Sequence, residues 1–135
     1  MRYLVTAVIA IVYFSVSGLA MASGIQHVKK SGAYSGNIVS VSYCKAAAGD
    51  RRYCNDLDLK LGTGKVVRAK FYMNVTIAKK NHLIYNGPNY NTPQVDQVNT
   101  IDKIVKNNLH RGVAVESVVS CGKDSGCSIS AITIK

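Results

Sequence analysis

Residues 94–112 read QVDQVNTIDKIVKNNLHRG and predict an amphipathic α-helix. Their apolar side chains recur every three or four positions, a spacing that places them on one face of a helix. These side chains are Val95, Val98, Ile101, Val105 and Leu109. The sequence on both sides is typical of β-strands, so the helix divides the predicted strands into two groups.

Residues at both ends of this segment fit the ends of a helix. Pro93 suits the first helical position behind Thr92, which is a candidate N-cap. Gly112 suits the left-handed residue that follows the last turn. We expect His110 and Arg111 in that last turn, where the helix dipole favours positive charge.

Five segments predict β-strands because apolar and polar residues alternate along them. They are residues 33–44, 55–61, 65–74, 113–121 and 127–135. Gly36 could allow a β-bulge in the first strand. In the second strand, leucines alternate with Asp56, Asp58 and Lys60, which we expect on the solvated face. Residues 75–91 mix Asn, Gly and Pro with tyrosines and predict a long loop.

The order of these elements is β-β-β-α-β-β, which makes the chain mainly β with one α-helix. Five strands with one helix between the third and the fourth are typical of the OB-fold, a small Greek-key barrel. The general binding surface of that fold uses strands two and three, together with the loops that join strands one to two and four to five. We therefore look for binding residues there.

The N-terminal segment predicts a secretory signal peptide over residues 1–22. It has Arg2, an apolar run over residues 4–16 and small residues at its end. An uncleaved anchor is the alternative interpretation. Residues 23–135 then form a single OB-fold domain that is secreted or periplasmic, with a polar lead-in over residues 23–31.

Four cysteines lie in the exported part of the chain, as expected for an oxidising compartment. Three pairings are possible. We favour Cys44 with Cys54 and Cys121 with Cys127, because each pair brackets a short polar loop between two predicted strands. Zinc is the competing interpretation, but neither spacing matches a zinc knuckle and the histidines are distant in sequence, so we expect no metal.

Catalytic motifs are missing from the sequence. The acidic residues are scattered, and no G-x-S-x-G, H-E-x-x-H or phosphate-binding glycine loop occurs. Asp56 and Asp58 share one strand face and could form a carboxylate pair, but solvated residues on an outward face are commoner. The sequence therefore predicts a protein that is not an enzyme and has no cofactor.

Basic residues suggest a partner with negative charge, since the formal net charge is +10. That partner could be nucleic acid, lipopolysaccharide, an anionic glycan or an acidic protein surface; scattered lysines that only keep the chain soluble are the alternative. The candidate ligand-binding residues of the two OB loops are Lys45, Arg51, Arg52, Tyr53 and Lys123. We expect Arg68, Lys70 and Tyr72 to extend this basic surface on the outward side of strand three.

A second set of candidate ligand-binding residues lies in the predicted long loop. Amide side chains hydrogen-bond the hydroxyl groups of sugars, and a tyrosine ring packs on the apolar face of a sugar. The residues are Tyr85, Asn86 and Tyr90. Their combination favours a glycan ligand, and the alternative is a turn-rich loop that its tyrosines hold in place.

Three stretches carry a family resemblance: NDLDLKLGTGKVVRAKFYMN at 55–74, TIDKIVKNNLHRGVAVESVVSC at 100–121 and SISAITIK at 128–135. With the signal peptide, this layout resembles the B subunits of bacterial A-B toxins of the cholera, Shiga and subtilase-cytotoxin types. The resemblance implies a non-catalytic homopentamer that binds cell-surface glycans and accompanies an A subunit. Other secreted bacterial OB-fold proteins share the layout.

Two further hypotheses remain open at this point. The chain could be an exported basic OB-fold domain that binds nucleic acid or another polyanion. It could also be a periplasmic inhibitor or immunity protein that binds one enzyme through the same loops.

Overall fold

A computed structural model describes residues 24–44, 53–88, 94–124 and 126–135. These residues are mainly β, with one α-helix. In chain order the elements are β1 Ile25–His27, β2 Gly32–Tyr43, β3 Cys54–Leu61, β4 Val66–Tyr72, β5 Thr76–Lys79, β6 His82–Asn86, α1 Gln94–Asn108, β7 Ala114–Gly122 and β8 Gly126–Ile134.

Five of the strands close into a barrel. Strand β2 pairs antiparallel with β3 on one side and with β7 on the other. Strand β3 continues to β4, and β7 continues to β8, again antiparallel. The ring closes where β4 runs parallel to β8, with Lys70 opposite Ser128. This order is that of an OB-like barrel, so the predicted fold class is confirmed.

Three short strands extend the barrel beyond the prediction. Strand β1 runs parallel to β4, although residues 23–31 were expected to be a lead-in. Strands β5 and β6 form a hairpin, and β5 runs parallel to β8. The prediction of a loop over residues 75–91 is therefore wrong for 76–86. Its strands are short, and a register shift between Ile77 and Ala78 interrupts their alternation.

Helix α1 packs on the barrel through Ile101 and Val105, and Leu109, which directly follows the helix, is buried as well. The prediction fails for Val95, which is 68% exposed, whereas Gln97 in the same first turn is buried. His110 and Arg111 also lie outside the helix, which ends at Asn108. The proposed cap residues Thr92 and Pro93 lie outside the described residues.

The turn after α1 behaves as the sequence predicts. Gly112 adopts a positive φ of 90°, a conformation that glycine tolerates better than any other residue. Its backbone N–H donates to the carbonyl oxygen of Ile38 at 2.8 Å. The C-terminal end of the helix is therefore tied to the middle of β2.

The face of β3 that we expected to be solvated carries a buried carboxylate in a partly buried ion pair instead. Asp58 is only 2% exposed and accepts two hydrogen bonds from the Arg68 guanidinium, at 2.7 and 2.9 Å. Ser40 donates a third at 3.1 Å, and Lys70 pairs with Asp56 at 3.0 Å. Arg68 and Lys70 therefore do not form the free basic surface that we expected, because cross-strand carboxylates neutralise them.

Both predicted disulfides are present. Cys44 is bonded to Cys54 and Cys121 to Cys127, with Cα–Cα distances of 5.2 and 4.0 Å. They indicate an oxidising environment, extracellular or periplasmic. None of the helices among the described residues has the length and apolar character needed to cross a bilayer. The predicted signal peptide, residues 1–22, lies outside the described part of the chain.

Gly36 allows a close backbone approach, and the bulge that we expected there lies further along β2. The register shift falls between Ile38 and Ser40. At Gly36 a Cβ atom would lie 2.4 Å from the backbone oxygen of Lys60. Real Cβ atoms do not approach backbone oxygen so closely, so two barrel strands would have to move apart to accept a side chain.

Gly36→Ala should therefore lower the free energy of unfolding by about 1–3 kcal/mol, the usual cost of overpacking a tight site. The control is Gly62→Ala, where a Cβ would have no atom within 4 Å. Urea unfolding of the two variants measures the difference. Equal midpoints would show that the β2–β3 contact tolerates a side chain.

Candidate functional site

A cleft of about 390 Å³ lies between the C-terminal half of β2 and the C-terminal half of α1. Its volume is within the range of small-molecule sites, roughly 300–1,000 Å³. Four aliphatic side chains line it: Val39, Val41, Val105 and Leu109. Polar groups complete the lining, from Ser40, Tyr43, Asn55, Asp102, Lys106, His110 and Arg111.

The β-bulge in β2 determines which residues face this cleft. Before the bulge Ile38 lies opposite Leu59, and after it Val41 lies opposite Leu57. Because paired residues share one face of a sheet, Ile38 and Val41 both face inward despite their odd spacing. Tyr43 follows Val41 in the same phase and so lies on the cleft side.

A hydrogen-bonded triad joins the two walls of the cleft. The Tyr43 hydroxyl donates to the Asp102 carboxylate, and Lys106 Nζ lies 3.0 Å from the other carboxylate oxygen. The hydrogen bond from Tyr43 and then the one from Lys106 lower the pKa of Asp102. The Asp102 carboxylate in turn raises the pKa of both Tyr43 and Lys106. At neutral pH the site therefore presents one fixed carboxylate held by two donors.

Two buried polar side chains near the start of β3, those of Tyr53 and Asn55, lie beside the triad. Asn55 is opposite Tyr43 in the strand register, and Tyr53 packs edge-to-face on Tyr43 with ring centroids 6.3 Å apart. Burial raises the pKa of the Tyr53 hydroxyl, and the neighbouring Asn55 amide partly opposes that shift. Neither Tyr53 Oη nor Asn55 Nδ2 makes a well-formed hydrogen bond within the described residues.

Buried polar atoms without a partner are uncommon in folded proteins, and each one calls for an explanation. Here Asn55 Nδ2 belongs to a side chain that lines an open cleft and is 3% exposed. Because this atom has almost no solvent-accessible area, a ligand in the cleft would satisfy it only after the Asn55 amide turned toward the opening. This side chain makes the cleft a candidate binding site and not simply a gap between helix and barrel.

Four of the residues that the sequence predicted as ligand-binding are described by the structure, and these four are not gathered in one place. Tyr53 is buried beside the cleft, and Tyr85 is buried with its hydroxyl donating to the Met73 carbonyl oxygen at 2.7 Å. Asn86 is exposed on β6, and Lys123 is exposed in the turn between β7 and β8. The remaining four lie outside the described residues: Lys45, Arg51, Arg52 and Tyr90.

The sequence reasoning missed Tyr43, Asn55 and Asp102, although two signals were present. Asn55 is a polar residue in the inward phase of a strand that is otherwise leucine, an unusual position for an amide. Asp102 precedes Lys106 by one helical turn, the spacing of an ion pair. The contact between Tyr43 and Asp102 joins residues 59 positions apart, which no local pattern indicates.

Comparisons of this chain with protein-family models, with characterised proteins and with solved structures found no match. The four cysteines all form disulfides, so none of them is available as a zinc ligand.

The triad should make stability depend on pH. A carboxyl group whose pKa falls on folding contributes stability above its unfolded value, near 3.8, and loses it as the pH drops through the folded value. Asp102→Asn should therefore destabilise the protein at pH 7 and cost progressively less as the pH falls below about 4.

Denaturant unfolding at pH 7 and pH 3 measures this difference. Asp124→Asn is the matched control, because Asp124 is an exposed turn residue that takes part in no ion pair among the described residues. If the Asp102→Asn variant loses the same stability at both pH values, the ionised carboxylate does not hold β2 against α1.

Proposed function

We propose that this protein is an exported, non-catalytic binding module that recognises a glycan in the cleft between β2 and α1. The observation that supports this is the cleft itself, which combines an aliphatic floor with a fixed carboxylate, a buried amide and an exposed tyrosine. A sugar presents the complementary surface, since its C–H face is apolar and its edge carries hydroxyl groups.

Each part of the cleft has a partner on such a ligand. The Tyr43 ring is 64% exposed and offers a flat surface for the C–H face. The Asp102 carboxylate is already oriented by Tyr43 and Lys106 and keeps lone pairs for sugar hydroxyls. Because Asp102 is already oriented, it loses little conformational entropy when a ligand binds. This lower cost helps a ligand that binds through several individually weak hydrogen bonds from its hydroxyl groups.

The protonation state of Asp102 favours binding over catalysis. A general base works best with a pKa near the operating pH. Two donors instead lower the pKa of Asp102, which makes the carboxylate a stable acceptor and a poor base. The site is therefore better suited to hold a ligand than to transfer a proton.

The resemblance to toxin B subunits supports the same function. It implies export, a glycan ligand on a cell surface, a homopentameric ring around the helices and an A subunit. The exposed Val95 on α1 is consistent with a helix that a second copy covers. The Cys44–Cys54 bond supports the cleft, because Cys44 directly follows Tyr43.

A glycan array probed with the mature protein, followed by calorimetry on the strongest ligand, tests the proposal. Tyr43→Ala should weaken binding about tenfold, as expected for losing roughly 1.4 kcal/mol of ring contact and preorganisation. Leu83→Ala is the control, since Leu83 is a large exposed side chain on β6, outside the cleft and outside the groove beside β1.

An array without any bound glycan would overturn the proposed function. Equal affinity of the Tyr43→Ala and Leu83→Ala variants for an identified glycan would keep the function and move the site elsewhere on the protein. Light scattering on the mature protein tests the implied ring separately, because a monomer would contradict the homopentamer.

Polyanion binding is a second candidate function, which a different surface supports. A groove of about 630 Å³ between the β1 region and β2 is lined by His27, Lys29, Lys30 and Lys65, and it has no acidic residue in its lining. The high net charge of +10 agrees with an anionic partner on this surface.

If the groove binds a polyanion, affinity for single-stranded DNA should fall steeply with salt. Reversing Lys29 and Lys30 to Glu should reduce the slope of log affinity against log salt by roughly one to two. Reversing Lys79 and Lys80 to Glu changes the net charge equally at the exposed β5–β6 turn, and it is the matched control. Equal effects of the two double variants would assign the affinity to net charge alone.

A further inference from the structure

We propose that the glycan in the cleft carries an acetamido group, so that the recognised unit is an N-acetylated hexosamine. This inference rests on the proposed function and names the ligand class of the same cleft. Three neighbouring features carry it: the buried Asn55 amide, the aliphatic floor and the fixed Asp102 carboxylate.

The Asn55 amide requires an acceptor oxygen. Its Nδ2 atom is buried and makes no well-formed hydrogen bond among residues 24–44, 53–88, 94–124 and 126–135, and its interaction with the Tyr53 hydroxyl opposes only part of the pKa shift there. A donor in that position is expensive to leave unpaired, so a ligand that supplies an acceptor gains more there than on an open surface. A carbonyl oxygen, with two lone pairs and no hydrogen, meets the requirement better than a hydroxyl group.

The floor of the cleft requires an apolar group close to that oxygen. Asn55 shares the cleft lining with Val41 and Val105, and Val39 and Leu109 extend the same wall. The edge of a hexose ring carries neighbouring hydroxyl groups, so a plain hexose that reached Asn55 edge-on would place further hydroxyls against these aliphatic side chains. An acetyl group places a methyl beside its carbonyl oxygen and matches both.

The opposite wall supplies an acceptor for the amide N–H. Asp102 receives hydrogen bonds from Tyr43 and Lys106 and still has lone pairs free. In a trans amide the N–H and the C=O point in opposite directions. Asn55 lies on the barrel wall and Asp102 on the helix wall, so an acetamido group between them presents its carbonyl to one wall and its N–H to the other.

The same carboxylate disfavours an acidic group in this position. A ligand carboxylate beside Asn55 would share the cleft with the ionised Asp102, and like charges in a partly buried site repel. Lys106 is already paired with Asp102 and does not offset a second negative charge beside Asn55. Arg111 lines the same cleft and makes no ion pair among the described residues, so an anionic group elsewhere on the ligand would lie near it and not beside Asn55. The group that fits is polar, uncharged and partly apolar.

NMR titration of the mature protein with methyl glycosides tests the inference. The panel compares the 2-acetamido forms of glucose, galactose and mannose with the parent hexoses. At least one acetamido sugar should bind about tenfold more tightly than its parent. The 2-O-acetyl analogue of that sugar keeps the carbonyl and the methyl but lacks the N–H, and it should recover only part of the gain.

Asn55→Leu, which keeps the branched shape of the side chain and removes the donor, should abolish the preference for the acetamido form. Asn86→Leu is the matched control, since Asn86 is an exposed asparagine on β6 outside the cleft. Thermal unfolding checks that both variants fold. If Asn55→Leu does not fold, the 2-O-acetyl comparison with the unmodified protein still tests the site.

Equal affinity for acetamido sugars and their parents would overturn this inference and leave the proposed function intact. The same conclusion would follow if the protein bound array glycans without an acetamido group and bound none of the acetamido sugars in the panel. An array on which no glycan binds would overturn both proposals.

Discussion

The structure depends on strand β2, which has to pair with both halves of the barrel. Its first half pairs with β7 and its second half with β3, and at Gly36 it lies opposite Val115 and Leu61 at once. A strand can serve two sheets in this way only if it bends and if the neighbouring backbone can approach closely. Gly36 permits the approach, and the bulge between Ile38 and Ser40 supplies the change of direction. These two local features let β2 join the two halves of the barrel, which closes between β4 and β8.

The same bulge connects the fold to the cleft. It places Ser40 on the outer face, where the hydroxyl donates to Asp58, and returns Val41 and Tyr43 to the inner face. Helix α1 is tied to this strand at two points, through the backbone of Gly112 and through the Tyr43–Asp102 hydrogen bond. The cleft is the space between those two points, so its geometry is fixed by the strand that organises the barrel.

Local patterns were enough to predict the barrel strands, the helix and both disulfides, because alternation and helical periodicity report burial directly. The β5–β6 hairpin was missed because its strands are short and its register shifts at Ile77. Burial of Asp58 was missed because it depends on the Arg68 guanidinium across the sheet. The triad was missed for the same reason, since Tyr43 and Asp102 meet only after the chain closes.

Among the described residues, the cleft between β2 and α1 and the lysine-lined groove beside β1 differ in how their positive charges are paired. Arg68 and Lys70 are neutralised across the sheet and Lys106 at the cleft, so the excess positive charge lies elsewhere, with Lys29 and Lys30 in the groove beside β2. In the proposed function these surfaces act in sequence. Unpaired lysines attract the protein to an anionic cell surface over long distances, a contribution to association rate that salt weakens. The cleft, where Lys106 is paired with Asp102, then selects its ligand by shape and hydrogen bonding, which salt affects little.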